Sequence, residues 1–120
     1  MWVVEFHSEF DPEYGDLDAE VQNELLAQLK VLERFGPQAK RPRVDTLNGS
    51  KHAHMKELRF SAAGGEWRVA FAFDPTRKAI LLVAGDKSGK GSEKQFYKSL
   101  IAKADKRFDA HLERLKPKRR

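Results

Sequence analysis

The chain has 120 residues, a formal net charge of +5 and no cysteine. Its length and its 40% apolar content suit one folded domain with one core, and the lack of cysteine excludes a disulfide framework and a thiolate nucleophile. Because the chain also has no apolar segment of signal-peptide or membrane-spanning length, we expect a cytoplasmic protein that does not contact membranes.

Charge is distributed unevenly along the chain. Residues 1–35 carry two basic and nine acidic side chains, whereas residues 86–120 carry twelve basic and five acidic ones. This polarity is typical of a protein whose basic side meets a polyanion such as nucleic acid. A solvated basic surface would produce the same pattern, so charge alone leaves both interpretations open.

The first third of the chain predicts a strand, a loop or single helical turn, and a long helix. The strand covers residues 2–6, and the turn region covers residues 8–15. From about Asp16, apolar residues recur at helical spacing until Gly36-Pro37 ends the helix. The apolar stripe of this helix consists of Leu17, Val21, Leu25, Leu29 and Leu32.

A polar connection over residues 38–55 follows the helix. It is long for a small domain, so we expect either a functional loop or one pinned against the sheet. Its two histidines, His52 and His54, lie two positions apart with no cysteine nearby, which is a weak metal signal. We therefore expect no metal site. The connection also carries the basic residues Lys40, Arg41, Arg43 and Lys51.

A β-hairpin is predicted next, with strands over residues 56–60 and 66–73. Period-2 alternation places the apolar side chains on one face and the charged ones on the other. If Phe60 lies opposite Trp67, then Arg59 faces Arg68, and such a pair of like charges is destabilising unless an anion or a carboxylate compensates it. The charged face carries Glu57, Arg59, Glu66 and Arg68.

The remaining chain predicts a buried strand and a long helix. Residues 78–84 are apolar on both faces, so we expect a central strand whose second face is covered by a helix over about residues 92–115. The predicted fold is α+β: one domain over residues 1–115 with a mainly antiparallel sheet, an N-terminal helix or helices and a long C-terminal helix. Residues 116–120 are predicted to form a basic tail. We expect helices on the Trp67/Phe71 face and an arginine face that stays at least partly open.

The arginine face is a candidate phosphate site. Arg59 and Arg68, which we expect to be bordered by Lys56 and Lys87, could bind phosphate oxygens through guanidinium groups that do not deprotonate. The alternative is structural, because Glu57 lies diagonal to Arg68 and Glu66 diagonal to Arg59, and two cross-strand salt bridges could neutralise the pair.

Two further features near the last helix could contribute to such a site. The loop over residues 85–91 lacks the spacing of a Walker-type loop, which excludes nucleotide hydrolysis of that kind, although its amides and lysines could still meet a phosphate chain. Tyr97 could stack on a base or transfer a proton, or it could simply pack with its hydroxyl in water.

Taken together, the segments of this chain resemble the RelE/ParE superfamily of toxin–antitoxin toxins, and specifically its HigB-like, phage-derived branch. The resemblance covers about residues 2–112, and the Glu-Leu-Arg and Trp-Arg-Val segments are its most specific part. It rests on the long N-terminal helix and on residues 47–50, 57–59, 67–69, 71–73, 80–82 and 85–87.

The resemblance implies an endoribonuclease that cleaves mRNA on the ribosome, without a cofactor, through attack by the RNA's own 2′-hydroxyl. It also implies a cognate antitoxin, often with a helix-turn-helix domain. The alternatives are a ParE-like inhibitor of DNA gyrase without nuclease activity and a non-catalytic protein that binds nucleic acid or an antitoxin.

By position, the resemblance assigns the transition-state phosphate to Arg68, with Arg59, Lys87 and Tyr97 as further catalytic residues. The expected RNA-binding residues are Lys56, His54, Lys90 and Lys94. Glu57 departs from the family pattern, because ribosome-dependent relatives can carry a catalytic lysine there. The general base is unassigned, since the last helix continues past the point where HigB relatives place a histidine, and His111 is a poor replacement.

Overall fold

A computed structural model describes residues 1–117, and the end of the predicted basic tail, residues 118–120, lies outside the described residues. The strands are β1 (Val3–Phe6), β2 (Val44–Thr46), β3 (Lys56–Ala62), β4 (Gly65–Phe73) and β5 (Lys78–Asp86). The helices are α1 (Phe10–Gly15), α2 (Ala19–Phe35) and α3 (Glu93–Leu115), with a short 3₁₀ helix at Gly36–Gln38.

The strands form one five-stranded sheet in the order β1-β5-β4-β3-β2. All neighbours are antiparallel except β1 and β5, which are parallel. The predicted α+β fold is therefore confirmed, as is the central position of β5. The predicted hairpin register is also confirmed, because Phe60 pairs with Trp67 and Arg59 with Arg68.

The α2 face of the sheet contains one of two hydrophobic clusters. The apolar stripe of α2 packs there against Leu58, Val69 and Phe71, as the alternation of β3 and β4 predicts. Asp18 caps the start of α2 by accepting a hydrogen bond from the backbone of Glu20.

The opposite face of the sheet is covered by α3, which packs against the second cluster. Leu100, Ala104 and Phe108 of this helix meet Ala70, Ala72, Ile80 and Leu82 of the central strands. The expectation that the helices gather on the Trp67/Phe71 face is therefore correct for α2 but wrong for α3. The reason is that β5 is apolar on both faces, and its second face has to be buried by the remaining helix.

The long connection before the hairpin is pinned rather than free. It contains the edge strand β2, which sequence patterning did not predict because three residues are too few to show an alternation. Asp105 of α3 accepts hydrogen bonds from the Ser50 hydroxyl and the Lys51 backbone, and Asp109 pairs with His52 at 2.8 Å.

The two helical layers are also joined around the edge of the sheet. The buried Arg107 of α3 donates to both carboxylate oxygens of Glu13 in α1, at 2.8 and 2.6 Å, and to the carbonyl oxygen of Leu82 at 2.7 Å. In the part of the chain that the structure describes, no helix is long and apolar enough to cross a membrane.

Candidate functional site

Four polar side chains meet where the charged face of the hairpin passes beneath the first turns of α3. Glu57 and Arg59 come from β3, Arg68 from β4 and Tyr97 from α3. The strand residues share this face because of the period-2 alternation. Tyr97 reaches it because α3 crosses the sheet there. We refer to Glu57, Arg59, Arg68 and Tyr97 as the hairpin cluster.

Arg68 is the buried cation of this cluster. Arg68 is only 8% exposed, and its Nη1 atom donates to the carbonyl oxygen of Trp67 at 2.9 Å. Its Nε atom is buried and has no hydrogen-bond partner among residues 1–117. A guanidinium stays charged, and a buried donor without a partner is costly, so the Arg68 environment favours an added acceptor of negative charge.

Glu57 compensates Arg59 rather than Arg68. The Glu57 carboxylate is 3% exposed and accepts from the Nε and Nη2 atoms of Arg59 at 3.0 and 2.8 Å. The alternative interpretation, with Glu57 diagonal to Arg68 and Glu66 diagonal to Arg59, is therefore wrong in its pairing, since Glu66 accepts instead from the Ser61 hydroxyl at 2.6 Å. Arg59 is neutralised along its own strand, and Arg68 keeps its charge free for another partner.

Tyr97 completes the cluster through a contact that sequence reasoning missed. Its hydroxyl donates to the other carboxylate oxygen of Glu57 at 2.9 Å. Burial raises the pKa of Tyr97, the hydrogen bond to Glu57 raises it further, and the nearby Arg68 lowers it by less. Tyr97 is therefore protonated at neutral pH, with its proton directed at a buried carboxylate.

An open pocket of about 410 Å³ lies beside the cluster and is lined by Glu57, Arg59 and Tyr97 together with Lys87. Every basic group of its lining is paired with a carboxylate. Lys87 lies 3.0 Å from Glu93, and Arg41 lies 2.9 Å from Asp45. Asp45 also approaches Arg59 at 3.4 Å. A phosphate entering the pocket would compete with these carboxylates for the same donors.

The four expected RNA-binding residues do not line this pocket. Lys56 shares its strand face with Leu58, on the α2 side of the sheet, and its amine lies 3.4 Å from the Thr46 hydroxyl. The expectation that Lys56 borders the arginine pair is therefore wrong, because period 2 sends Lys56 and Arg59 to opposite faces. His54, Lys90 and Lys94 are exposed, on the connection, the loop before α3 and the first turn of α3.

His111 contacts a residue far from the hairpin cluster. His111 is buried, with its Nε2 atom 2.8 Å from Asp74. It lies 14 positions after Tyr97 on the same helix, which is about 21 Å along the axis. His111 is thus no part of the hairpin cluster. Within residues 1–117, no group of three or more histidines, aspartates or glutamates is arranged to hold a metal ion.

Comparison with known proteins places this chain in a protein family. Residues 13–109 match the family model described as "Phage derived protein Gp49-like (DUF891)". The chain belongs to this family. The resemblance to the HigB-like, phage-derived branch that the sequence indicated is confirmed.

Two curated relatives come from Mycobacterium tuberculosis (strain ATCC 25618 / H37Rv). The protein named "Putative toxin HigB2" is 47% identical over 108 residues, which is 87% of this chain and 53% of the relative. The protein named "Putative toxin HigB3" is 43% identical over 93 residues, which is 78% of each chain. The chain thus spans about half the length of the first relative. No solved structure matches the chain at a significant level.

Proposed function

We propose that this chain is the toxin of a toxin–antitoxin module and acts as an endoribonuclease on mRNA at the ribosome, in the cytoplasm. The curated relatives are named as toxins, which supports the module. The observation that carries the nuclease proposal is the buried Arg68, whose Nε atom has no partner among the described residues and which lies beside the protonated Tyr97.

The proposed reaction uses the RNA as its own nucleophile. The 2′-oxygen attacks the adjacent phosphorus, and the bond from phosphorus to the 5′-oxygen breaks. Charge that develops on the non-bridging oxygens is stabilised by Arg68, with Arg59 and Lys87 at the edge of the pocket. Because Arg68 is a buried residue of β4, this donor is in place before RNA binds and needs little reorganisation at the moment of reaction.

Glu57 and Tyr97 supply a proton path for this attack. The 2′-hydroxyl proton passes to the Tyr97 oxygen while the Tyr97 proton passes to Glu57, so no tyrosinate accumulates. Water gives a proton to the departing 5′-oxygen, and the hydroxide that remains takes up the proton held by Glu57, which restores the carboxylate. In this scheme Glu57 is the general base and acts through Tyr97. Glu57 stands where ribosome-dependent relatives can carry a catalytic lysine, and it takes the place of that lysine in the proton transfer.

A second function is favoured by one observation. Arg41, Arg59 and Lys87 of the pocket lining are all paired with carboxylates. This pairing suits a protein that binds a partner without cleaving RNA, such as a ParE-like inhibitor of DNA gyrase. Under either function we propose a cognate antitoxin, with a helix-turn-helix domain as the expected type.

One experiment separates the two functions. The purified chain is added to ribosomes that translate a defined mRNA, the new RNA ends are mapped, and gyrase supercoiling is measured in parallel. The nuclease proposal expects new ends with the wild type and with the control Lys106→Ala, and few with Arg68→Ala. Intact mRNA together with inhibited gyrase would replace it by the second function.

A further inference from the structure

A groove on the α2 side of the molecule has no role in the proposed reaction. It lies where α2 ends and the chain runs through the 3₁₀ helix towards β2, and its volume is about 350 Å³. Its floor is apolar, formed by Val31, Phe35, Ala39 and Pro42. Phe35 is 48% exposed there, although aromatic side chains of this size are usually buried.

Basic side chains surround this apolar floor. Lys40, Arg41 and Arg43 line the groove, and Arg34 lies over the Phe35 ring at 5.5 Å. Asp45 pairs with Arg41. No carboxylate of residues 1–117 forms an ion pair with Lys40 or Arg43. An apolar floor with a basic rim is complementary to a segment that carries apolar anchors flanked by acidic residues.

The groove suits a protein segment better than RNA. Aliphatic side chains and a proline form most of its floor, and the Phe35 ring already has Arg34 against it. Bases need open aromatic faces on which to stack. The groove also lies on the α2 side of the sheet, whereas Tyr97 of α3 and Arg68 of β4 lie on the other side.

We infer that this groove receives an acidic amphipathic segment of the antitoxin, an inference that rests on the proposed toxin function. The segment binds on the opposite side of the sheet from the hairpin cluster and does not cover it. One residue connects the two places, because Arg41 lines both the groove and the site pocket. Its partner Asp45 lies 3.4 Å from Arg59. An acidic side chain that binds Arg41 in the groove therefore competes with the carboxylate next to the site.

Binding of a designed peptide tests this inference without any RNA cleavage. The probe is a fluorescent peptide of about 16 residues with leucines at helical spacing and glutamates elsewhere, and its binding is followed by anisotropy. The variants are Phe35→Ala and the double variant Lys40→Glu/Arg43→Glu. The matched control is Lys103→Glu/Lys106→Glu, which changes two exposed lysines of α3 by the same charge.

We expect the peptide to bind the wild type and the control equally, and both groove variants at least about tenfold more weakly. Lys40 and Arg43 are exposed, so the double variant decides the question even if Phe35→Ala fails to fold. The inference is overturned if the peptide does not bind the wild type, or if it binds the double variant unchanged. It is also overturned if an RNA of about ten nucleotides displaces the peptide from the groove. Because the assay measures only peptide binding, its result can be interpreted even if the nuclease proposal fails.

Discussion

The Tyr97 hydroxyl donates a hydrogen bond of 2.9 Å to Glu57, a carboxylate 40 residues earlier in the chain. This contact joins α3 to the hairpin at the point where the arginine pair lies. It leaves Arg59 and Tyr97 sharing one carboxylate, while Arg68 lies beside them without one.

Removal of either member of the Tyr97–Glu57 pair is expected to slow RNA cleavage. Tyr97→Phe deletes the hydroxyl that relays the proton, and Glu57→Gln deletes the final acceptor, so each should reduce the cleavage rate by about 10² to 10⁴-fold. Single-turnover cleavage measures this effect. Wild-type rates in Tyr97→Phe would refute the relay. Because the pKa of Tyr97 is raised, the wild-type rate should stay insensitive to tyrosine ionisation up to the usual tyrosine range.

Arg68 and Arg59 are expected to differ sharply when each is replaced by methionine. Arg68→Met removes a buried cation whose Nε atom has no partner and whose Nη1 atom donates to the Trp67 carbonyl oxygen. Because relief of the unpartnered donor offsets the lost hydrogen bond, the free energy of unfolding should change little while cleavage falls about 10² to 10³-fold. Arg59→Met leaves the buried Glu57 without its cation and should cost about 3 kcal/mol of stability. Urea unfolding of both variants, each beside its cleavage rate, makes the comparison. Equal losses of stability would contradict the finding that Glu57 pairs with Arg59 and not with Arg68.

His7 should make the protein less stable as the pH falls below neutrality. Burial lowers the pKa of His7 from its usual 6.5, Arg107 and His111 lower it further, and Glu9 opposes them. The unfolded chain therefore takes up this proton before the folded one does. The stability due to neutral His7 is complete above pH 6.5 and is lost progressively below it.

The variant His7→Asn tests this pH dependence. Its side-chain oxygen can still accept from the Glu9 backbone, as the His7 Nδ1 atom does at 3.1 Å, but it does not titrate. Urea unfolding between about pH 5 and 7 should show a weaker dependence on pH in this variant than in the wild type. The exposed His54→Asn is the control and should keep the wild-type slope. An equal dependence of stability on pH in all three proteins would contradict the prediction.

Gly36 at the end of α2 is expected to tolerate no side chain. Its φ is +53°, and an added Cβ would lie 2.2 Å from the Nε1 atom of Trp2, so Gly36→Ala combines backbone strain with a clash. We expect a loss of about 2 kcal/mol or more in thermal or urea unfolding. Gly15→Ala is the control, because nothing lies within 4 Å of its added Cβ and its φ is not positive. A small loss in Gly36→Ala would mean that Trp2 can move aside.

Sequence patterning predicted the parts of the fold that depend on near neighbours. The register of Arg59 opposite Arg68 was predicted by matching the apolar residues of the two strands, since a slip of one residue would turn Leu58 and Val69 away from the α2 face. The bounds of α3 were predicted nearly to the residue, because Ser92 caps a long apolar stripe. The strand β2 was not predicted, because pairing to β3 stabilises it and its three residues carry few strand signals of their own.

The candidate site was predictable only in part. Arg59, Arg68, Lys87 and Tyr97 were selected from pattern and resemblance. The structure brings Arg59, Lys87 and Tyr97 into the lining of one pocket, whereas Arg68 lies next to Tyr97 and is not part of that lining. Lys56 was assigned to the wrong face, although its alternation with Leu58 held the signal. The partners of Glu57 could not be found from sequence, because a carboxylate next to two arginines and a tyrosine has several possible ones.

By itself the sequence determined the fold class, the register of the hairpin and the family, because periods of 2 and 3.6 residues act between near neighbours in the chain. Only the tertiary structure decided that α3 crosses the arginine face, buries Arg68 and delivers Tyr97 to Glu57. These outcomes depend on which face each helix covers and on which donor a buried carboxylate meets. Both depend on packing between elements that are far apart in the chain, because burial makes an unpaired charge costly.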